Sequence, residues 1–338
     1  MNLEEKIKEV DQQIKDYYNN PSYSQSQLKK LLYIKNPMDF LKEDEDKGES
    51  YFKIGSAVDA IITIGLEYFN SKFKVLDLNT NCTPKVKSII DEILLRYDKD
   101  LLELEDSKER LLSIANELEY QKNWKDETRL KTIIEQGYEY YNIMIESKGF
   151  TILTTEEFLI VNSCVDRLIN GDYTSNYFKE DNLYQVSIED FIGSNNDIPF
   201  KCLLDMIKID TVNKTYQVVD LKTTAKSVLD FEESFLRYRY DIQLAIYNRM
   251  VDKLKLEEQG YKKLAPCLLV VSTTYLDEPA VVFELENKTI QDAIYGRREE
   301  NNKYIPGFNK LVEMLEFYLA NGFTEHYSIK KEDGIFYL

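Results

Sequence analysis

The spacing of apolar residues predicts a helical first half of the chain. Apolar residues recur three and four positions apart over much of 84–170, as in "SIIDEILLRY" and "LLSIANELEY", which is typical of amphipathic helices. Residues 3–18 and 26–42 have the same spacing, and the pattern Ser24-Gln25-Ser26-Gln27 before the second run is typical of a capping box. A further helix is expected to begin near Gly55 and to run through "AVDAIITI".

Short β-rich runs replace this pattern in the second half. Three strands are predicted at 183–192, 199–209 and 215–222. The segment "DFEESFLRYRYDIQLAIYNRMVDKL" predicts a helix, "PCLLVVSTTYL" and "AVVFELE" predict a second hairpin, and a last helix is expected over about 287–320.

The order of these elements predicts the fold class. A β-β-β-α-β-β succession indicates an α/β (α+β) core with a central mixed sheet flanked by helices. We expect a mainly helical part, 1–170, and a core, 171–338, that form one integrated domain.

Composition favours a folded protein outside the membrane. Of the 338 residues, 43% are hydrophobic and 25 are tyrosine, which argues against disorder. No apolar run approaches the roughly 20 residues that span a bilayer. The start "MNLEEKIKEVDQQIKD" is charged and unlike a signal peptide, so a cytoplasmic location is expected.

The reactive side chains limit the possible chemistry. Cys82, Cys164, Cys202 and Cys267 are scattered without a C-x-x-C pair, which disfavours zinc and iron–sulfur sites. A single histidine, His326, disfavours serine–histidine triads and H-E-x-x-H sites. If the chain is an enzyme, carboxylates, lysine, tyrosine or a hard metal must carry the reaction.

Two carboxylates and an amine fall inside the strands of the first hairpin. If the turn "DTVNKT" centres near 212–214, Asp205 lies opposite Asp220, or opposite Lys222 in the neighbouring register. A buried acid pair needs a proton or a cation, and oxygen ligands favour Mg²⁺ or Mn²⁺. The alternative is that both acids are solvated residues at a sheet edge.

Several segments together resemble one nuclease superfamily. "LLDMIKID…YQVVDLKTT" resembles the PD-(D/E)XK core, and "DIQLAIY" resembles the Q-x-x-x-Y helix of its RecB-like branch. "YSQSQLKKLLYIKNPMDF" and "YFKIGSAVDAII" are similar to the opening segments of phage RecE-like exonucleases (exonuclease VIII), relatives of lambda exonuclease. The resemblance covers 23–62 and 183–250. It implies a restriction-endonuclease-like core to which the N-terminal part contributes a helix.

The resemblance assigns roles to matched positions. It implies that Asp205 and Asp220 bind Mg²⁺ or Mn²⁺, together with Leu221, the residue between Asp220 and Lys222 in the D-x-K segment. Lys222 would position or deprotonate the attacking water and stabilise charge on the phosphate. Gln243 and Tyr247 are four residues apart on one helix face, and the resemblance places that face beside the site and against nucleic acid.

Two positions depart from the family pattern. Asp59 stands where the family has histidine, and it is either a hard-metal ligand or a surface acid of its helix. Gln185 stands where the family generally has glutamate, and its loss of charge leaves a second metal position, and the number of metals, open.

The net charge of −17 is unusual for a protein that binds DNA. A protein with a negative net charge can nevertheless bind DNA in a channel if basic residues line that channel locally. Arg237 and Arg239 alternate with Tyr238 and Tyr240, and Lys226 precedes them in the same segment, so the segment would supply cations for phosphates and rings for bases. The alternative is a solvated, charged helix start.

The resemblance implies a Mg²⁺-dependent deoxyribonuclease, most simply a 5′-to-3′ exonuclease on double-stranded DNA ends in phage-type recombination. RecE-like relatives form closed homo-oligomeric rings and pass one strand to a single-strand annealing protein. The resemblance therefore implies three partners: double-stranded DNA ends, further copies of this chain and a single-strand annealing protein. Two alternatives remain: a degenerate nuclease fold that binds DNA or a protein without cutting, and an endonuclease of the same fold.

Overall fold

The computed structural model describes residues 3–42, 50–77, 80–300 and 302–328. The helices in this part of the chain are α1 (Leu3–Asn19), α2 (Gln25–Lys30), α3 (Ser50–Asp59), α4 (Leu66–Lys72), α5 (Pro84–Arg96), α6 (Lys108–Glu117), α7 (Asp126–Glu146), α8 (Thr155–Ile169), α9 (Phe231–Arg237), α10 (Tyr240–Met250), α11 (Asn287–Tyr295) and α12 (Phe308–Asn321). Among these described segments, no helix is both long and apolar enough to cross a membrane.

The strands pair into one large sheet and two small ones. They are β1 (Tyr23–Ser24), β2 (Phe73–Leu76), β3 (Thr151–Thr154), β4 (Leu183–Ile192), β5 (Ile198–Asp210), β6 (Thr215–Thr224), β7 (Lys262–Lys263), β8 (Cys267–Ser272), β9 (Val281–Glu284), β10 (Arg297–Arg298) and β11 (Tyr304–Ile305). The large sheet has the order β1-β5-β6-β8-β9, with β4 also on β5 and β7 also on β6.

This large sheet is mixed because its connections are of two kinds. The short turn after Asp210 makes β5 and β6 antiparallel, whereas α9 and α10 carry the chain from β6 back to a parallel β8. Apolar side chains of α2, α10 and α12, such as Leu28, Ile242 and Leu315, share a buried cluster with Phe200 and Leu204 of β5. The predicted α/β (α+β) class, with a central mixed sheet flanked by helices, is confirmed.

Contacts divide the chain into two compact units. Residues 1–69 and 159–338 form the unit that contains the large sheet, so α3 belongs to it. Residues 70–158 form the other unit, in which α5, α6 and α7 enclose a core that includes Ile89, Leu111 and Ile133. The division near residue 170 stays a prediction.

The helix expected at 26–42 is shorter than its apolar spacing suggests. The capping box is confirmed, since the Ser24 hydroxyl accepts the Gln27 N–H and the Gln27 side chain accepts the Ser24 N–H. The helix nevertheless ends at Lys30. Pro37 disfavours helical geometry at Asn36, whose side chain instead caps a separate 3₁₀ turn, Pro37–Leu41.

Two other predicted helices are each broken once. The first divides at Arg239, whose backbone lies in the left-handed region (φ 53°, ψ 49°) between α9 and α10. The second divides between α11 and α12, where the β10–β11 hairpin intervenes. Gly296 (φ 84°) ends α11, and a Cβ on Gly307 would lie 2.3 Å from the Gly296 nitrogen, so glycine is required at this close approach.

Candidate active site

Gln185, Asp205 and Asp220 occupy one row across three neighbouring strands. The β5–β6 register runs from Asp210↔Thr215 to Met206↔Val219, and its continuation by one residue sets Asp205 opposite Asp220. The β4–β5 register sets Gln185 opposite Asp205 on the other side. Of the two registers allowed by the sequence, the structure therefore has the one that brings the two aspartates together.

Asp220 is fully buried, and two side chains hold its carboxylate. Oδ2 forms an ion pair with the Lys222 ammonium and has no other hydrogen-bond partner among the described residues. Oδ1 accepts a 2.9 Å hydrogen bond from Gln243 Nε2, which also lies 3.3 Å from the Tyr247 hydroxyl. Gln243 therefore contacts the carboxylate directly, and Tyr247 contacts Gln243.

Asp205 accepts a 2.9 Å hydrogen bond at Oδ2 from the Leu221 backbone N–H. Burial, followed by the charges of Asp220 and Asp59, raises its pKa well above the ordinary value of a carboxyl group. The Lys222 ammonium and the Leu221 N–H oppose that shift without cancelling it. Ionisation of Asp205 is therefore unfavourable when no cation is present.

Asp59 reaches the same row from α3. Gly55 allows this approach, because a Cβ there would lie 2.9 Å from the Thr223 hydroxyl of β6. Asp59 ends α3 and is followed by a π-helical turn, Ala60–Ile64. Burial raises the pKa of Asp59 to about 6, with Asp220 adding to the effect and Lys222 opposing it. The structure thus places Asp59 beside Gln185 and near Asp220, and its role as a metal ligand stays a prediction.

Gln185 is hydrogen-bonded through its side-chain amide nitrogen to Asp59 and Thr63. Its Nε2 donates to Asp59 Oδ2 at 3.2 Å and to the Thr63 hydroxyl at 2.8 Å. Its backbone has φ of 50° within β4, which is costly for a residue with a Cβ. The hydrogen bond from the Gln185 amide therefore opposes the rise in the pKa of Asp59, and the amide adds no negative charge of its own.

Lys222 is held as an ammonium ion. Burial lowers its pKa, but the carboxylates of Asp220 and Asp205 outweigh burial, so the net shift is upward. Its Nζ lies 5.1 Å from the centroid of the Tyr240 ring and 3.4 Å from the Leu221 carbonyl oxygen. As an ammonium ion, this side chain can donate hydrogen bonds to a bound group.

The donors fit a hard divalent cation in kind and in charge. Three carboxylates, Asp59, Asp205 and Asp220, share one ammonium, so their ionised forms carry an excess of negative charge that Mg²⁺ or Mn²⁺ would balance. The Leu221 carbonyl oxygen follows Asp220 along β6 and lies 3.4 Å from the Lys222 Nζ. As placed, each carboxylate faces protein donors. Within the described ranges, no three acidic, cysteine or histidine side chains converge closely enough to hold an ion. The ligand assignment stays a prediction.

The predicted phosphate-binding cations are placed differently from one another. The buried guanidinium of Arg239 is paired with Asp241 and donates to the Pro306 carbonyl oxygen at 2.8 Å, so its donors are used inside the chain. Lys226 is paired with Glu233. Arg237 is exposed and lies 5.5 Å from the ring of Tyr238. The structure therefore leaves Arg237 accessible and draws Arg239 away from solvent.

Lys29 is a further neighbour of this row, and the sequence assigned it no role although it lies in the "YSQSQLKKLLYIKNPMDF" segment. It lies on α2, and its Nζ is 5.8 Å from the same Tyr240 ring centroid that Lys222 faces. The "SQSQLKK" segment contains it, but that segment gives no sign that α2 ends against the α9–α10 junction.

Comparison with known proteins gives little beyond this geometry. No family model matches the chain, and no curated protein matches it. A candidate exonuclease from Eubacterium rectale has a similar solved structure at 14% identity and a TM-score of 0.35, with 84% of this chain and 88% of that chain covered. A second structure, named SSO0001, has 14% identity and a TM-score of 0.23, with 62% and 82% covered. At these TM-scores neither likeness supports an inference about the site.

Proposed function

We propose that the chain is a divalent-metal-dependent nuclease of the PD-(D/E)XK class that hydrolyses phosphodiester bonds in DNA. One observation carries this proposal. The acids Asp205 and Asp220 stand opposite each other on neighbouring strands, and Lys222 forms an ion pair with Asp220. The same three residues match the superfamily's motif in order and spacing. A structural ion pair alone would leave the second buried carboxylate without a counter-charge.

In this proposal Asp205, Asp220 and the Leu221 carbonyl hold Mg²⁺ or Mn²⁺, with Asp59 as a further ligand. When bound, the ion supplies a Lewis acid that stabilises negative charge on the phosphate. Lys222 is an ammonium ion in the metal-free chain, so in this proposal it would orient the attacking water or a phosphate oxygen by donating hydrogen bonds. Gln243 fixes the orientation of Asp220 through its Oδ1 atom.

The proposed substrate is the end of a DNA duplex. A 5′-to-3′ exonuclease that works as a homo-oligomeric ring and supplies an annealing protein in phage-type recombination follows from the motif resemblance. The net charge of −17 is compatible with it, since an acidic exterior repels DNA except at a local basic entrance. Arg237 is an accessible cation that could line such an entrance.

A second candidate is a nuclease-like module that binds DNA without cutting it. The bond from Gln185 to Asp59 favours it, because a neutral amide stands where the motif has glutamate.

Incubation with linear and covalently closed duplex separates these candidates. We expect Mg²⁺-dependent loss of the linear form alone, abolished by EDTA and by Lys222→Ala. Equal digestion of both forms would indicate an endonuclease. Retention of both forms in Mg²⁺ and in Mn²⁺ would leave only the binding module.

A further inference from the structure

Lys29 points its ammonium group toward the candidate site from an element that is remote in sequence. Its Nζ donates a 2.9 Å hydrogen bond to the Tyr238 carbonyl oxygen. It also lies 5.8 Å from the Tyr240 ring centroid, and Lys222 lies 5.1 Å from that centroid. The Tyr240 ring thus has two lysine ammonium groups beside it, one of which belongs to the D-x-K segment.

The backbone turn that receives Lys29 is held firmly. Arg239 adopts its left-handed conformation between Tyr238 and Tyr240, and its buried guanidinium is tied to Asp241 and to the Pro306 carbonyl. A second bond joins the same segments, since the Tyr33 hydroxyl donates to the Arg237 carbonyl at 3.0 Å. The position of Lys29 is therefore set by the fold.

The ammonium of Lys29 forms no ion pair within the part of the chain that the structure describes. Among the described residues, no carboxylate lies within ion-pair distance of its Nζ, and a carbonyl oxygen satisfies only one of its three donors. Burial and then the Lys222 charge lower its pKa to about 8, with Asp220 and Asp241 opposing the shift and Arg239 adding to it. A half-buried cation next to another cation is unfavourable unless an anion joins them.

We propose that Lys29 binds a backbone phosphate of the nucleic-acid strand in the active site, close to the phosphate that Lys222 contacts. The inference rests on the proposed nuclease function and adds a substrate-binding residue to it. A phosphodiester anion would form a direct ion pair with Lys29 and accept hydrogen bonds from its two remaining N–H donors. The exposed ring of Tyr238, whose carbonyl holds Lys29, would then lie along the same strand.

Lys29→Ala tests this assignment, with Lys29→Arg as the conservative variant and Lys35→Ala as the control. Lys35 is exposed and lies shortly after α2, so its removal changes the net charge equally. We expect Lys29→Ala to weaken the binding of a fluorescein-labelled linear duplex, measured in Ca²⁺, by about tenfold. The slope of log affinity against log salt should also fall by about 1, as expected for one lost phosphate contact. Lys29→Arg should restore most of both, and Lys35→Ala should change neither.

The outcomes separate this inference from the proposed function. If wild type cleaves in Mg²⁺ and Lys29→Ala binds and cleaves like it, Lys29 contacts no phosphate. An equal loss in Lys35→Ala would indicate net charge and overturn the assignment. If wild type binds duplex without cleaving, the nuclease proposal fails, while the affinity and the salt slope still decide whether Lys29 holds a phosphate. Absence of binding by wild type would overturn both.

Discussion

Replacing Asp205 by asparagine should stabilise the metal-free protein. The substitution removes one of the facing charges and keeps an oxygen that can accept the Leu221 N–H. It is nearly isosteric, so packing around β5 should change little. The prediction follows from the raised pKa of Asp205, which means that the folded chain holds this carboxyl less easily in its ionised form than the unfolded chain does.

The size of the effect follows from the row of charges. Facing residues on antiparallel strands have Cβ atoms about 5 Å apart, and two charges at that distance repel by about 3 kcal/mol at an effective dielectric constant of about 20. Lys222 offsets part of this repulsion. Protonation of Asp205 sets an upper limit on the effect, because keeping a carboxyl group with an ordinary pKa of about 4 protonated at pH 7 costs about 4 kcal/mol. We expect Asp205→Asn to gain on the order of 2 kcal/mol near neutral pH.

The sign of the pH dependence is fixed by the same argument. When the pKa of a carboxyl group is raised on folding, the free energy of unfolding decreases as the pH rises above the pKa of that group in the unfolded chain, about 4. The advantage of Asp205→Asn should therefore be absent near that pH and increase toward neutrality. Adding Mg²⁺ should reverse the order, because binding to the folded state stabilises wild type and not the variant.

Urea unfolding in EDTA, at acidic and neutral pH, measures the prediction. Asp210→Asn on the same strand is the matched control. Bonds from the Asn213 backbone and side chain lower the pKa of Asp210, so its variant should lose stability near neutral pH. If Asp205→Asn is less stable than wild type in EDTA at neutral pH, repulsion between the Asp205 and Asp220 carboxylates does not destabilise the metal-free protein, and the reasoning is refuted.

Further predictions concern neighbouring residues. Lys222→Ala should abolish cleavage, whereas its circular dichroism spectrum should match that of wild type and its unfolding should stay cooperative. Cleavage at the wild-type rate would refute the role of Lys222. Gln243→Glu should reduce cleavage more than Gln243→Met at neutral pH, because it sets a second carboxylate against Asp220; equal rates would show that the 2.9 Å bond has no part in the reaction. Asp59→Ala should raise the Mg²⁺ concentration needed for cleavage, and Asp59→His should keep some activity; identical metal titrations would assign Asp59 to a structural role. Since the pKa of Lys29 is lowered to about 8, DNA affinity should fall as the pH rises through that value, and Lys29→Arg should show no such fall.

The hairpin that carries the acids could be predicted because its signals are local. Alternation fixed which residues share a face, and the polar segment after Asp210 fixed the turn, so the register between Asp205 and Asp220 followed to within two choices. The break between α11 and α12 also had local signals in Gly296 and Gly307, although apolar spacing outweighed them in the prediction of one long helix.

Other features depended on contacts between distant segments. Neither glycine nor proline marks the left-handed turn at Arg239, which is stabilised by Asp241 and by the carbonyl of Pro306, 67 residues away. The same contacts explain why an apparent phosphate-binding arginine is buried. The bond between Gln185 and Asp59 spans 126 residues, and the approach of Lys29 to Tyr238 spans 209. Only the tertiary fold brings such pairs together.

Cleavage of an end-labelled linear duplex as a function of Mg²⁺ concentration tests the central claim most directly. The purified chain should degrade the duplex with a saturable dependence on Mg²⁺, and Mn²⁺ should substitute for it. Asp205→Asn and Asp220→Asn should be inactive at every concentration although both are folded. Degradation that persists in EDTA, or that survives both substitutions, would contradict a metal-dependent reaction at this pair of carboxylates.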